Sequence, residues 1–181
     1  MRIISGKYRS RAIKAPNPKF TRPTTDKVKE SLFNTLQNRI NITEAKVLDI
    51  YAGSGSLGLE ALSRGADEIH FVEKNFSVYK ILMGNIQSLE ASSSCKIFKM
   101  SAVKFSLLAA HDEYNLIFAD PPFFEFDIHE VYKNVIERNF LTDNGIFIIE
   151  RSVQTEKEDV QAFGQEPFKK IGDSLIYWYE K

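Results

Sequence analysis

The sequence has a single cysteine, Cys95, among 181 residues. That excludes an internal disulfide framework and a cysteine-rich zinc site. A lone thiol near a strand start reads as a small core side chain. Long apolar runs are also missing. The longest are strand-sized, such as GIFIIE at residues 145–150, so no transmembrane span is expected. No apolar segment follows the basic N-terminus, so no signal peptide is expected either. The three histidines, His70, His111 and His129, form no metal-ligand spacing, and no metal is expected. His70, inside an apolar run, reads as structural. Nucleophile elbow, P-loop and H-E-x-x-H motifs are absent, as are repeats and low-complexity segments. These absences fit a cytoplasmic protein with no membrane partner.

Hydrophobic residues make up 43% of the chain, enough for a sizeable core. The length suits one domain with a small appendage. Net charge is zero but unevenly spread. Residues 1–30 hold nine Lys or Arg against Asp26 and Glu30, an excess of seven positive charges. The rest carries an equal negative excess. A basic arm (residues 1–23) on an acidic body (residues 24–181) suits a polyanion met by one end, or else a solvated basic tail.

RIISGKYRSRAIKAP reads as a hairpin or bent extended arm around Gly6. Pro16, Pro18 and Pro23 keep the next stretch irregular. TTDKVKESLFNTLQNRI reads as a helix capped by Thr24 or Thr25, with Val28, Leu32, Leu36 and Ile40 recurring every four residues. Strands and helices then alternate. KVLDIYA, EIHFVEK, KIFKM, YNLIFAD and GIFIIE read as strands, with helical patterns between them. EPFKKI and SLIYWYEK around Gly172-Asp173 read as a closing antiparallel hairpin. The pattern predicts an α/β fold with a mostly parallel sheet covered on both faces. Ligands of such sheets bind beyond the carboxyl ends of the strands, where strand order reverses.

Four strand ends carry chemistry. In LDIYAGSGSLG, Gly53, Gly55 and Gly58 satisfy G-x-G-x-x-G between a strand and a helix. Glu73, about 20 residues on, sits where an acid accepts ribose hydroxyls. Asp49, Tyr51, Ala52, Gly53, Ser54, Gly55 and Glu73 are therefore candidate cofactor contacts. The pattern admits NAD or S-adenosylmethionine. The latter has no phosphate, and its ammonium group suits Asp49. At the third strand end, Ser101 and Ala102 offer a backbone N–H to an adenine edge, or Ser101 merely caps a helix.

The fourth strand ends in Asp120-Pro121-Pro122-Phe123. A purine exocyclic amine is a poor nucleophile, because its lone pair is delocalised into the ring. Acceptors for its N–H groups favour pyramidalisation and aim the lone pair. Asp120 and the Pro121 carbonyl are candidate acceptors, with the carbonyl fixed by the proline geometry. Phe123 can stack on the base. Asp120 also adjoins the cofactor candidates.

RIISGKYRSRAIKAP, RPTTDKVKESLFN, LDIYAGSGSLGLEALSRGA and FADPPF together resemble the bacterial RsmD family. Its members are 16S ribosomal RNA guanine-N2 methyltransferases that use S-adenosylmethionine. The resemblance implies a Rossmann-like class I methyltransferase fold, a seven-stranded sheet ending in an antiparallel hairpin. It implies as target the 2-amino group of guanine 966, in 16S rRNA of the assembling 30S subunit carrying ribosomal proteins. A monomer is expected. By the same likeness Arg2, Lys7, Arg9, Arg11, Lys14, Arg22, Thr24 and Thr25 contact RNA. Phe123 stands where many relatives have tyrosine. The rival readings are a DNA adenine-N6 methyltransferase, which uses the same corner, an NAD-dependent oxidoreductase, and a non-catalytic RNA-binding module.

Overall fold

Alternation along the strands decides the layering. In β1 (Lys46–Ile50), Val47 faces one hydrophobic cluster and Leu48 and Ile50 the other. In β4 (Tyr114–Ala119), Leu116 and Phe118 face the first, Ile117 and Ala119 the second. Side chains on a strand point alternately to its two sides, so both sheet faces are buried. The computed structural model describes residues 1–16, 26–122 and 124–181. The expected caps Thr24 and Thr25, with Arg22 and Phe123, lie outside the described residues.

The other strands are β2 (Glu68–Val72), β3 (Cys95–Phe98), β5 (Leu141–Ser152), β6 (Lys169–Ile171) and β7 (Ser174–Glu180). Among the described residues seven strands form one sheet in the order β3-β2-β1-β4-β5-β7-β6. The first five are parallel; β7 runs antiparallel to β5 and to β6. Helices α1 (Asp26–Leu36), α2 (Ser56–Ser63) and α3 (Phe76–Ser88) cover one face. Helices α4 (Ala102–Ser106), α5 (Asp127–Glu137) and α6 (Glu156–Phe163) cover the other. This is a Rossmann-like α/β arrangement with a closing antiparallel hairpin.

Some boundaries differ from expectation. Helix α1 stops at Leu36, and turns occupy residues 37–39, so Ile40 packs from beyond the helix. Strand β5 starts at Leu141, before GIFIIE. Helix α6 was not expected. Cys95 does begin β3, and burial pushes its thiol up to about 12, far from a reactive thiolate. Among the described residues no helix is long and apolar enough to cross a membrane.

The N-terminal segment is packed. Ile3 and Ile13 belong to the first core cluster. An antiparallel bridge joins Arg2 and Ala12, and Ile3 N–H donates to Arg11 O at 3.0 Å. Gly6 turns the hairpin with φ 81°, and a Cβ there would lie 1.7 Å from Ser63 O. Only glycine lets the arm lie this close to α2. Glu60, fully buried on α2, accepts from Ile4 N (2.8 Å) and Ser5 N (3.1 Å). Lys29 Nζ, also buried, reaches Arg2 O at 2.7 Å and the Glu60 carboxylate at 3.5 Å. Each buried charge thus meets its opposite, as burial requires.

Candidate active site

β1 lies between β2 and β4, so the loops leaving β1 and β4 diverge and open a crevice. The β1–α2 turn forms its inner side. Ala52 N–H donates to Val72 O (3.0 Å), and Gly55 N–H to Ala52 O (2.7 Å). Gly55 has φ 81°, and a Cβ there would come within 2.5 Å of a Leu82 methyl. A side chain at that position would strain the backbone and displace α3. Ser54 is buried, and its carbonyl accepts from Asn85 Nδ2 at 2.9 Å.

Two acids meet this turn. Asp49 is buried in β1 and accepts from Gly58 N–H at 2.9 Å. Burial raises its pKa to about 8, and the charge of Glu73 adds to this, against the pull of the Gly58 bond. Glu73, one residue beyond β2, accepts from Gly53 N (3.1 Å) and Asn75 N (2.7 Å). Burial raises its pKa too, opposed by those backbone donors. Tyr51 has φ 63°, uncommon for a side chain of that size, and its hydroxyl donates to Asp127 Oδ1 at 2.9 Å. Burial, then the Asp127 carboxylate, pushes the Tyr51 pKa up, so the phenol stays protonated.

A cavity of about 350 Å³ connects the ends of β1, β2, β3 and β4. Val72, Val78, Met100 and Ala102 give it apolar walls, and Tyr51, Glu73, Asn75 and Asp120 give it polar groups. Lys74, Pro122 and Glu125 complete the lining. Apolar walls with Glu73 among them suit an adenosine moiety. Of the expected cofactor contacts, Tyr51, Glu73, Ala102 and Asp120 line this cavity. Ala52, Gly53, Ser54 and Gly55 form the adjoining turn, and Asp49 lies in β1 against it. Ser101 caps α4 by accepting from Lys104 N–H at 3.3 Å and is not in the wall.

The corner after β4 is fixed from below. Pro121 is buried and Pro122 exposed; Pro122 O accepts from Glu125 N–H at 2.9 Å. Asp120 is half-buried. The Glu125 carboxylate receives Lys74 Nζ on both oxygens, at 2.9 and 2.8 Å. Arg151, at the end of β5, is fully buried. Its Nη1 donates to Glu125 O at 3.3 Å and its Nε to Asp159 Oδ2 at 2.8 Å. Asp159 also receives Thr155 Oγ1 (2.6 Å) and lies 2.7 Å from His129 Nε2. This buried group joins β5, α6 and the loop that carries the corner. Sequence reasoning missed Arg151, Asp159, Lys29, Glu60 and Asn85. A readable signal existed for Glu60, the one charge inside the apolar SLGLEALS.

The expected RNA contacts Arg2, Lys7, Arg9, Arg11 and Lys14 are all exposed. Arg2 pairs with Asp26 at 3.1 Å, and Arg11 Nη2 donates to Ser88 O at 2.6 Å. Asn85 couples this arm to the glycine turn: it accepts from Lys14 N (2.8 Å), donates to Lys14 O (2.9 Å) and holds Ser54 O. His70 is structural, with Nδ1 2.8 Å from Tyr114 Oη and Nε2 2.7 Å from Glu68 Oε1.

The family model described as "Conserved hypothetical protein 95" matches residues 1–180. The ribosomal RNA small subunit methyltransferase D of Escherichia coli K12 is 33% identical over 177 residues, 98% of this chain and 87% of that protein. The protein of the same name from Haemophilus influenzae is 38% identical over 161 residues, 87% of this chain and 80% of that one. The solved structure of the Escherichia coli yhhF protein is 31% identical and superimposes with a TM-score of 0.84, covering 100% of this chain and 97% of that one. The match over nearly the whole length places this chain in the RsmD family of methyltransferases.

Proposed function

We propose that the protein methylates ribosomal RNA from S-adenosylmethionine, at the 2-amino group of a guanine in 16S rRNA during small-subunit assembly, at guanine 966 by family likeness. The observation that carries this is one cavity lined by both Glu73 and Asp120. An adenosine-binding acid and an amine-binding acid share one space. The names of the relatives support the RNA substrate.

S-adenosylmethionine, when bound, supplies an electrophilic methyl on its sulfonium. Glu73 would hold the ribose hydroxyls, and the apolar walls at Val72, Met100 and Ala102 the adenine. Asp49 and the 52–55 turn would take the aminoacyl end, where a buried carboxylate gains most from a cation. Asp120 accepts an N–H of the target amine, and the Pro121 carbonyl a second. These acceptors aim the nitrogen lone pair, and positioning with local electrostatics carries the catalysis. Phe123 is assigned base stacking from its place in the motif. The basic arm, residues 1–23, meets phosphate through Arg2, Lys7, Arg9, Arg11 and Lys14, and by family likeness Arg22, Thr24 and Thr25 join the RNA contacts.

The test is transfer of isotope-labelled methyl to undermethylated 30S particles, bare rRNA and DNA, read by nucleoside mass spectrometry. N2-methylguanosine from the particles is the expected product. N6-methyladenine would overturn the substrate, and NAD binding without methyl transfer would overturn the reaction.

A further inference from the structure

Phe76 opens α3 directly after Asn75, a wall residue of the cavity, and is 55% exposed. Single exposed hydrophobic side chains are ordinary. This one has unusual company. Lys80 Nζ lies 4.9 Å and Lys99 Nζ 4.6 Å from its ring centroid. Tyr79 stacks beside it, with centroids 6.3 Å apart and planes within 11°. The two lysines come from different elements, one a turn along α3 and the other just past β3. Both are exposed. Lys74, by contrast, is held by Glu125.

We infer that Phe76, Tyr79, Lys80 and Lys99 form a stacking platform for a nucleotide flanking the target base. The inference rests on the RNA-methyltransferase reading and extends it to the α3 side of the cavity. An aromatic face with adjoining ammonium groups is the set that single-stranded nucleic acid takes, base on ring and phosphate on cation. Cation–π contacts at exposed sites are weaker than base–aromatic stacking, so an arriving base displaces the lysines from the ring. The released ammonium groups then meet the phosphates. A cationic ligand is repelled by the same two lysines. Residues 31–181 carry a net negative charge, so a polyanion crossing this lip needs local cations. A target base must leave its stack to reach Asp120, and its displaced neighbour needs a new surface. The platform is one residue from the cavity wall.

The experiment measures equilibrium binding and methyl transfer with undermethylated 30S particles for wild type, Phe76→Ala, Phe76→Trp and the Lys80→Ala/Lys99→Ala double variant. Phe76→Ala is expected to weaken particle binding and raise the particle KM about tenfold, within the range for removal of one base stack. Its kcat and its affinity for S-adenosylmethionine stay within about twofold of wild type. Phe76→Trp restores binding. The double lysine variant lowers the slope of log affinity against log salt by about one or more. Binding by Phe76→Ala equal to wild type would overturn the platform while leaving the methyltransferase reading intact. Absence of methyl transfer by wild type would overturn that reading, and binding by the same variants would still judge the platform.

Discussion

The Gly53 backbone N–H donates to the Glu73 carboxylate at 3.1 Å, so the glycine turn and the acid of the second strand are one bonded unit. Glu73 also holds Asn75 N–H, which starts the α3 cap. Replacing Glu73 by alanine removes the ribose acceptor and frees both donors. The cofactor KM should rise by about tenfold or more, the cost of a charged hydrogen bond, with kcat at saturation much less affected. Equal losses in both parameters would move Glu73 from binding to the chemistry.

Asp120 serves the acceptor amine in this reading. Asp120→Ala should lower kcat by about a hundredfold to a thousandfold while S-adenosylmethionine still binds within a few-fold of wild type. Calorimetric titration of the cofactor and single-turnover methyl transfer separate the two effects. Full activity in the variant would dismiss the mechanism.

Asp49 predicts a pH effect on stability. Its folded pKa is raised to about 8, above the ordinary carboxylate range, because burial disfavours the charge. The stabilising contribution is therefore complete below the unfolded value, near 4, and is lost as pH rises through about 8. Between pH 5 and 9 the thermal midpoint of wild type should fall more steeply than that of Asp49→Asn, which keeps an acceptor for Gly58 N–H. S-adenosylhomocysteine, by bringing an ammonium to the carboxylate, should flatten the wild-type curve. Parallel curves for the two proteins would refute the assignment.

Arg151→Met leaves Asp159 buried without its guanidinium. The expected loss is about 3 to 5 kcal/mol in urea unfolding. Adding Asp159→Asn should recover much of it, because the neutral pair no longer holds an uncompensated charge. Additive losses in the double variant would mean that the two side chains act independently.

On the arm, Arg9→Ala/Lys14→Ala should weaken particle binding and lower its salt slope by about two, one for each phosphate left without its cation. An unchanged slope would take these side chains out of the RNA footprint.

Local signals carried most of the architecture. The alternation of apolar pieces and the G-x-G-x-x-G turn were enough to predict the parallel sheet, and Asp120 follows β4 as its motif required. Helix α6 was hidden by its composition. EKEDVQAF has few apolar positions, and its buried side chains are Asp159 and Phe163. Asp159 is inside because Arg151 and His129 meet it there, and no periodicity reports a partner on another element. Lys29 was equally opaque: its burial is explained by Glu60 and the Arg2 carbonyl, which folding brings together. Charge asymmetry marked the arm as basic but could not show that Ile3 and Ile13 would be core residues.

The backbone bonds that seat this arm on α2 and Asn85 reach forward 55 to 71 positions along the chain. During translation this segment thus has no seat until α2, and then Asn85, have left the exit tunnel. Until then its buried donors and its two isoleucines stay in water. A nascent chain that has not yet exposed Asn85 displays the arm's cations on an unanchored strand.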